Sequence, residues 1–268
     1  ALLPAPATGI SLEQKIVLND ALLASGLDIH DVNVVRRLFS RLKGGRLARL
    51  AAPAKITQFL LSDVPSDRLE SIASGVAVAD PVSFDYAKSL VKTNRLDQLD
   101  FVASHLAAIA DNDELGPVRP GDPCLAGVHS AILASNAQCR DAAADWLAEN
   151  LPDITQFDAP ELAGEAQQMA RQLVMQICQH KAGQSNTDQT FGIVSGGETV
   201  VSMDSATAGR GGRSQELALA FACHMRQAGA AAPANWAVLA GGTDGRDGPT
   251  DAAGGIFTSR QDFDFGLA

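Results

Sequence analysis

Three glycine-rich junctions in the last third of the chain carry the residue types that chemistry on an anion requires. In the first, the apolar run Phe191-Gly192-Ile193-Val194 breaks into Ser195-Gly196-Gly197-Glu198. Consecutive glycines at the carboxyl end of a strand can aim several backbone N–H groups into one concavity, which suits an anion. The tetrapeptide read alone serves equally as a turn between two strands. The second, Gly209-Arg210-Gly211-Gly212-Arg213-Ser214-Gln215-Glu216, runs into Leu217-Ala218-Leu219-Ala220-Phe221. Glycines just ahead of a helix free its first N–H donors, where the helix dipole favours negative charge. The two arginines there add bidentate recognition of carboxylate or phosphate. In the third, the strand Trp236-Ala237-Val238-Leu239-Ala240 empties into Gly241-Gly242-Thr243-Asp244-Gly245-Arg246-Asp247-Gly248-Pro249-Thr250-Asp251. A parallel-type strand ending in such a loop is where open α/β sheets bind ligands. Its carboxylates can hold Mg²⁺ or accept a hydroxyl proton, and a solvated turn can have the same composition. It is no EF-hand, because the acidic spacing is wrong and Gly255 stands where the bidentate Glu belongs.

A second set of candidates lies upstream. A helix predicted from Asp31 to Lys43 places Arg36 and Lys43 seven positions apart, hence on one face. An exposed basic helix face has the same pattern. Asp63 follows the apolar strand Lys55–Leu61 and is a further metal or substrate candidate. Familiar nucleotide and hydrolase signatures are missing: there is no G-x-x-x-x-G-K-[ST], no G-x-G-x-x-G after the first strand and no G-x-S-x-G at Ser195. The five histidines are scattered, and two tryptophans with one tyrosine make no stacking platform for bases.

The elements that must position these residues alternate between helical and strand-like, the pattern of an α/β fold with largely parallel sheets. Ser11 and Gln14 form a capping box for a helix that Gly26 closes. The predicted Asp31–Lys43 helix stops at Gly44-Gly45, and residues 67–120 are mostly helix and loop. Buried strands are expected at 55–61 and 129–134. Helices are expected from about Asn136, carrying Trp146, and over 163–180. The polar stretch 181–189 is the best linker candidate. Strands at 191–194 and 199–203, a helix over 213–226 and the strand at 236–240 complete the reading.

Composition is that of an ordinary globular protein, 46% hydrophobic and 19% charged. A formal net charge of −10 argues against a nucleic-acid partner, while a local arginine cluster can still bind a small anion. The four cysteines form no C-x-x-C pair and suit reduced thiols in the cytoplasm. No apolar stretch approaches membrane-spanning length, and no signal peptide is expected at Ala1-Leu2-Leu3-Pro4-Ala5-Pro6. The missing initiator Met suggests a fragment or part of something longer.

Taken together, Ser195-Gly196-Gly197-Glu198-Thr199, the 209–216 motif and the 243–254 motif resemble the successive signatures of the MOFRL domain. This domain forms the C-terminal half of two-domain, ATP-dependent glycerate kinases. Asn33-Val34-Val35-Arg36-Arg37, Ser40-Arg41-Leu42-Lys43-Gly44-Gly45-Arg46-Leu47, Leu61-Ser62-Asp63-Val64-Pro65, Ile72-Ala73-Ser74-Gly75 and Pro120-Gly121-Asp122-Pro123 resemble the partner domain. The resemblance implies two α/β domains: a partial Rossmann-like domain at 1–185 and a partial MOFRL domain at 186–268, with the active site in the cleft between them. Family members carry a Gly-rich, Ser-containing loop before the Leu-Leu-Pro-Ala-Pro stretch and a Gly-Pro-Thr-Gly-Thr-Asn-like segment beyond the last residue here. The implied reaction is phosphorylation of D-glycerate to 2-phosphoglycerate with ATP and Mg²⁺, with no membrane partner and with room for a homodimer. An NAD(P)H-dependent hydroxypyruvate reductase and a non-catalytic ligand-binding module are the alternatives. On this reading Lys43, Asp244 and Asp247 are catalytic, and Asp63 and Asp247 are metal candidates. Arg36, Ser195, Gly196, Gly197, Glu198, Arg210, Gly211, Gly212, Arg213, Gln215, Glu216, Thr243 and Gly245 bind substrate or phosphate, Glu216 by orienting Arg213.

Overall fold

Helix α1, Leu12–Ala24, opens on the expected capping box: Ser11 N donates to Gln14 Oε1 at 2.9 Å, and Gln14 N to Ser11 Oγ at 3.1 Å. This belongs to a computed structural model that describes residues 3–64, 67–184, 189–203 and 209–260. Two compact units are present, Ala1–Asn136 and Ala137–Ala268. The boundary read from sequence, 185/186, falls inside the second unit.

Helix α2 is Ile29–Leu38, and both its ends differ from expectation. Asp28, rather than Asp31, is the cap, accepting from Asp31 N at 2.8 Å. The helix stops at Leu38, five residues before Lys43, because Phe39 leaves helical geometry and Ser40 bridges antiparallel to Pro6. The buried guanidinium of Arg46 then takes up the carbonyls that α2 leaves open, at 3.0 Å from Arg37 O, 3.2 Å from Leu38 O, and against Ser40 O. Arg46 begins the short helix α3, Arg46–Ala51. Gly45 just before it has φ +78°, and a Cβ there would stand 2.6 Å from Val118 Cβ. Only glycine fits that approach.

Helices α4, Phe84–Thr93, and α5, Asp100–Asp111, pack on α1 and α2 around Leu18, Leu22, Val35, Phe39, Val91 and Val102. Strands β1, Ile56–Ser62, and β2, Val128–Ser135, pair in parallel from Ile56 opposite Val128. Both were expected to be buried, yet burial alternates along β1, and Leu61 is 72% exposed. The apolar run there reflects β propensity more than burial on both faces.

In the second unit α6, Asn136–Asn150, precedes a short parallel pair, β3 Thr155–Gln156 and β4 Phe191–Gly192. Helix α7, Ala166–Gly183, lies against α8, Arg213–Ala228, through Met169, Leu173 and Ile177 on one side and Leu217, Phe221 and Met225 on the other. Because α7 continues to Gly183, the first residues of the expected 181–189 linker are helical, and 185–188 lie outside the described residues. In the expected 199–203 strand the structure has a single isolated parallel bridge, Glu165 to Val200, with a second, Leu162 to Gly197, just ahead of it. Strand β5, Ala237–Gly241, is antiparallel to β6, Gly254–Thr258, which corrects the parallel reading of this strand. The correction has a local cause: the Gly/Asp loop folds back, with Gly242 N on Ala253 O at 2.7 Å, so β5 and β6 form a hairpin.

Candidate functional site

The three glycine-rich junctions meet at the start of α8, and each link between them is specific. Arg213, the first residue of α8, pairs with Glu198 at 2.8 Å, joining the second junction to the first. Arg210 donates to Pro249 O at 3.2 Å, and Gln215 Nε2 to Thr250 Oγ1 at 3.0 Å, joining the second to the third. Most telling is Asp247, only 3% exposed. Its Oδ1 accepts from Ser214 N at 2.9 Å and its Oδ2 from Gln215 N at 2.7 Å. A carboxylate from the third junction thus caps α8, whose N-cap residue, Gly212, has no side chain to do so.

That cap explains the glycines more directly than a ligand does. A Cβ on Gly212 would fall 2.3 Å from the Asp247 carboxyl carbon, and one on Gly248 (φ +61°) 2.0 Å from Gly211 O. Gly197 plays the same part at the first junction, where a Cβ would collide with Leu162 O. Gly209 and Gly211 differ: a Cβ at either would meet nothing within 4 Å among the described residues. Ser195 donates its hydroxyl to Pro160 O, while Gly196 accepts from Leu162 N at 2.8 Å.

The aspartates read as alternatives therefore separate. Asp247 accepts a backbone N–H on each of its oxygens and is buried. Asp244 is exposed, with Oδ1 on Arg246 N at 3.1 Å in the turn that includes Thr243 and Gly245. Arg213 and Glu198 stay about half exposed, at 53% and 48%. Glu216, expected to orient Arg213, instead accepts from Gln167 Nε2 at 2.6 Å; Glu198 holds Arg213.

The first unit holds the remaining candidates. Arg36 donates to Asn19 Oδ1 on α1, and Lys43 Nζ stands 3.5 Å from the buried Ser74 hydroxyl. Lys43 sits in the loop after α2, so these two cations do not share a helix face. Burial lowers the pKa of Lys43, with Arg36 as the second cause, and burial lowers that of Arg36. Ala73 and Ser74 hold φ of +54° and +61°, a left-handed conformation costly for residues with a Cβ. Asp63 is exposed just beyond β1. Arg37, next to Arg36, is spent internally: it forms a buried bidentate pair with Asp80 at 2.8 and 3.1 Å. Sequence reasoning missed Lys15 on α1, which contacts Ala5 O at 3.3 Å; its only sequence signal is a lysine four positions ahead of Asn19.

Among the described residues no group of three or more His, Cys, Asp or Glu could hold a metal ion. Asp247, one of the two aspartates expected to hold a metal, has a backbone N–H on each carboxylate oxygen, and the other, Asp63, is exposed. Among the described residues no helix is long and apolar enough to cross a membrane.

Comparison with known proteins bears on both units. Residues 1–107 match a domain of unknown function, DUF4147, and residues 191–263 match the MOFRL family. An Agrobacterium vitis relative carrying a hydroxypyruvate reductase name is 36% identical over 96% of this chain and 55% of its own length. A glycerate kinase of Macaca fascicularis is 32% identical over 96% of this chain and 72% of its own. A crystal structure of glycerate kinase from Thermotoga maritima superposes with a TM-score of 0.75 at 31% identity, covering 94% of this chain and 56% of that one. The chain spans about half the length of several of the curated relatives it matches.

Proposed function

Because the chain belongs to the glycerate kinase family that combines DUF4147 with MOFRL, we propose that it serves ATP-dependent phosphorylation of D-glycerate to 2-phosphoglycerate. The observation that carries this reading is the convergence of the three junctions on the start of α8. There Arg210, Arg213 and glycines 209 and 211 offer positive charge and backbone approach to phosphate oxygens.

Phosphoryl transfer needs positioning and charge neutralisation more than covalent help from the protein. On this reading Arg213, held by Glu198, and Arg210, held by Pro249 O, bind nucleotide phosphate. Asp247 fixes the end of α8 that carries Arg213, and so acts as a positioning residue. Asp244, exposed and with Oδ1 on Arg246 N, takes the hydroxyl proton. Lys43 and Arg36 grip the acid's carboxylate. Bound Mg²⁺ would supply neutralisation of phosphate charge. A cytoplasmic location belongs to the same reading.

The test is an assay with ATP, Mg²⁺ and D-glycerate, the product being identified by NMR. The expected outcome is 2-phosphoglycerate. NADH oxidation with hydroxypyruvate, and no phosphoryl transfer, would overturn the proposal in favour of the reductase reading.

A further inference from the structure

Around Lys15 the first unit gathers positive charge that has no ionic partner among the described residues. Lys15 and Asn19 lie four residues apart on α1 and so share a face. Asn19 holds the guanidinium of Arg36, which fixes α1 against α2 at this level. The carbonyl of Ala5 accepts from Lys15 Nζ at 3.3 Å and also from Arg41 N at 3.0 Å. One carbonyl thus ties the ammonium of Lys15 to the loop that carries Lys43. Ser40 Oγ fixes that loop by accepting from Lys43 N at 3.2 Å, and Lys43 Nζ reaches the buried hydroxyl of Ser74 on its strained turn.

Among the described residues no carboxylate lies within ion-pairing distance of Lys15, Arg36 or Lys43. This is unusual in a protein of net charge −10, where acidic residues are plentiful. Burial, then Lys43 and Arg46, push the Lys15 pKa down to about 8. Three partly desolvated cations held together in this way cost free energy in the empty protein. A structural lysine would need only its carbonyl contact, for which an uncharged donor would serve.

We propose that Lys15 completes, with Arg36 and Lys43, a cationic cup that binds the carboxylate of a small hydroxy acid. The identity of that acid, D-glycerate, rests on the kinase reading above; the cup itself rests on the geometry just described. A carboxylate and a phosphate share the oxyanion chemistry such a cup recognises. The one with a single charge and a neighbouring hydroxyl fits a site where the Ser74 hydroxyl lies beside Lys43.

Titration of the 268-residue chain with D-glycerate, and separately with inorganic phosphate, tests this by NMR of ¹³C-labelled lysine side chains. D-Glycerate is expected to shift the Lys15 and Lys43 signals. Lys15→Gln, which keeps a donor for Ala5 O but removes the charge, is expected to weaken D-glycerate binding at least about tenfold. Lys15→Arg is expected to stay within about threefold of wild type, because the charge is kept. Unchanged affinity in Lys15→Gln, no lysine shift with either anion, or tighter binding of phosphate than of D-glycerate would each overturn the proposal. Phosphoryl transfer is scored separately. Lys15-dependent D-glycerate binding without transfer sinks the kinase reading alone, and transfer with an unchanged KM in Lys15→Gln sinks the cup alone.

Discussion

The two units treat charge in opposite ways. At the start of α8 the charges that join the junctions are met by opposite charge or a helix end: Asp247 sits on the helix N-terminus and Glu198 holds Arg213, while Arg210 reaches the carbonyl of Pro249. In the first unit Arg37 is neutralised by Asp80, yet its neighbour Arg36 joins Lys15 and Lys43 with only neutral oxygens in contact. A satisfied site is pre-organised and keeps its shape without ligand. An uncompensated one gains most when an anion enters. Under the proposed function the difference fits a rigid platform for nucleotide phosphates in one unit and a charge-driven acceptor for a small acid in the other.

The comparison can be broken most severely at the buried ion pair of the first unit, Arg37 with Asp80. Asp80→Ala leaves Arg37 charged and buried, and is expected to cost roughly 3–5 kcal/mol of stability, measured by urea unfolding. A cost below about 1 kcal/mol, the scale of an exposed pair, would show that Arg37 finds other partners. In the second unit Arg213→Ala is expected to cut turnover about a hundredfold, the scale of a lost charge-stabilising group; steady-state kinetics decide it, and near-normal rates remove Arg213 from the mechanism. Asp247→Ala removes a helix cap and is expected to cost about 1–2 kcal/mol, whereas Asp244→Asn leaves stability unchanged and lowers turnover at least about a hundredfold. If Asp247→Asn abolished turnover while Asp244→Asn did not, the two roles would have to be exchanged.

The smallest effect is the most diagnostic of the uncompensated cluster. Lys15 has a folded pKa of about 8 against an ordinary value of 10.5. Between those values the unfolded chain binds more protons, so this residue makes stability rise with pH across that window. Lys15→Gln lacks the contribution. Wild type should therefore gain stability relative to the variant between pH 8 and pH 10 (the window set by that shift). Parallel denaturation curves at the two pH values check this, and a constant difference would contradict it.

Much of this was legible in the sequence where local chemistry decides structure. Ser11 and Gln14 make their capping box, the Gly209–Glu216 motif opens α8, and the junctions it joins are those that spacing singled out. What stayed hidden depends on partners distant in sequence. Nothing near Lys43 reveals that Arg46 takes the last carbonyls of α2 and ends that helix early. The anchoring of Asp247 appears only when Ser214 and Gln215, more than thirty residues upstream, donate to it. The direction of β5 turns on the return strand β6, whose Gly254-Gly255 start resembles loop. Lys15 carries no motif; its setting appears only when Ala5 O joins it to the loop after α2.

Amide chemical-shift mapping on the chain with ATP, and then with D-glycerate, addresses the division of labour most directly. ATP is expected to move the signals of residues 209–215 and D-glycerate those of residues 15, 36 and 43. If ATP left 209–215 unmoved, or D-glycerate acted there and spared the first unit, the assignment of phosphate to one charge environment and acid to the other would be wrong.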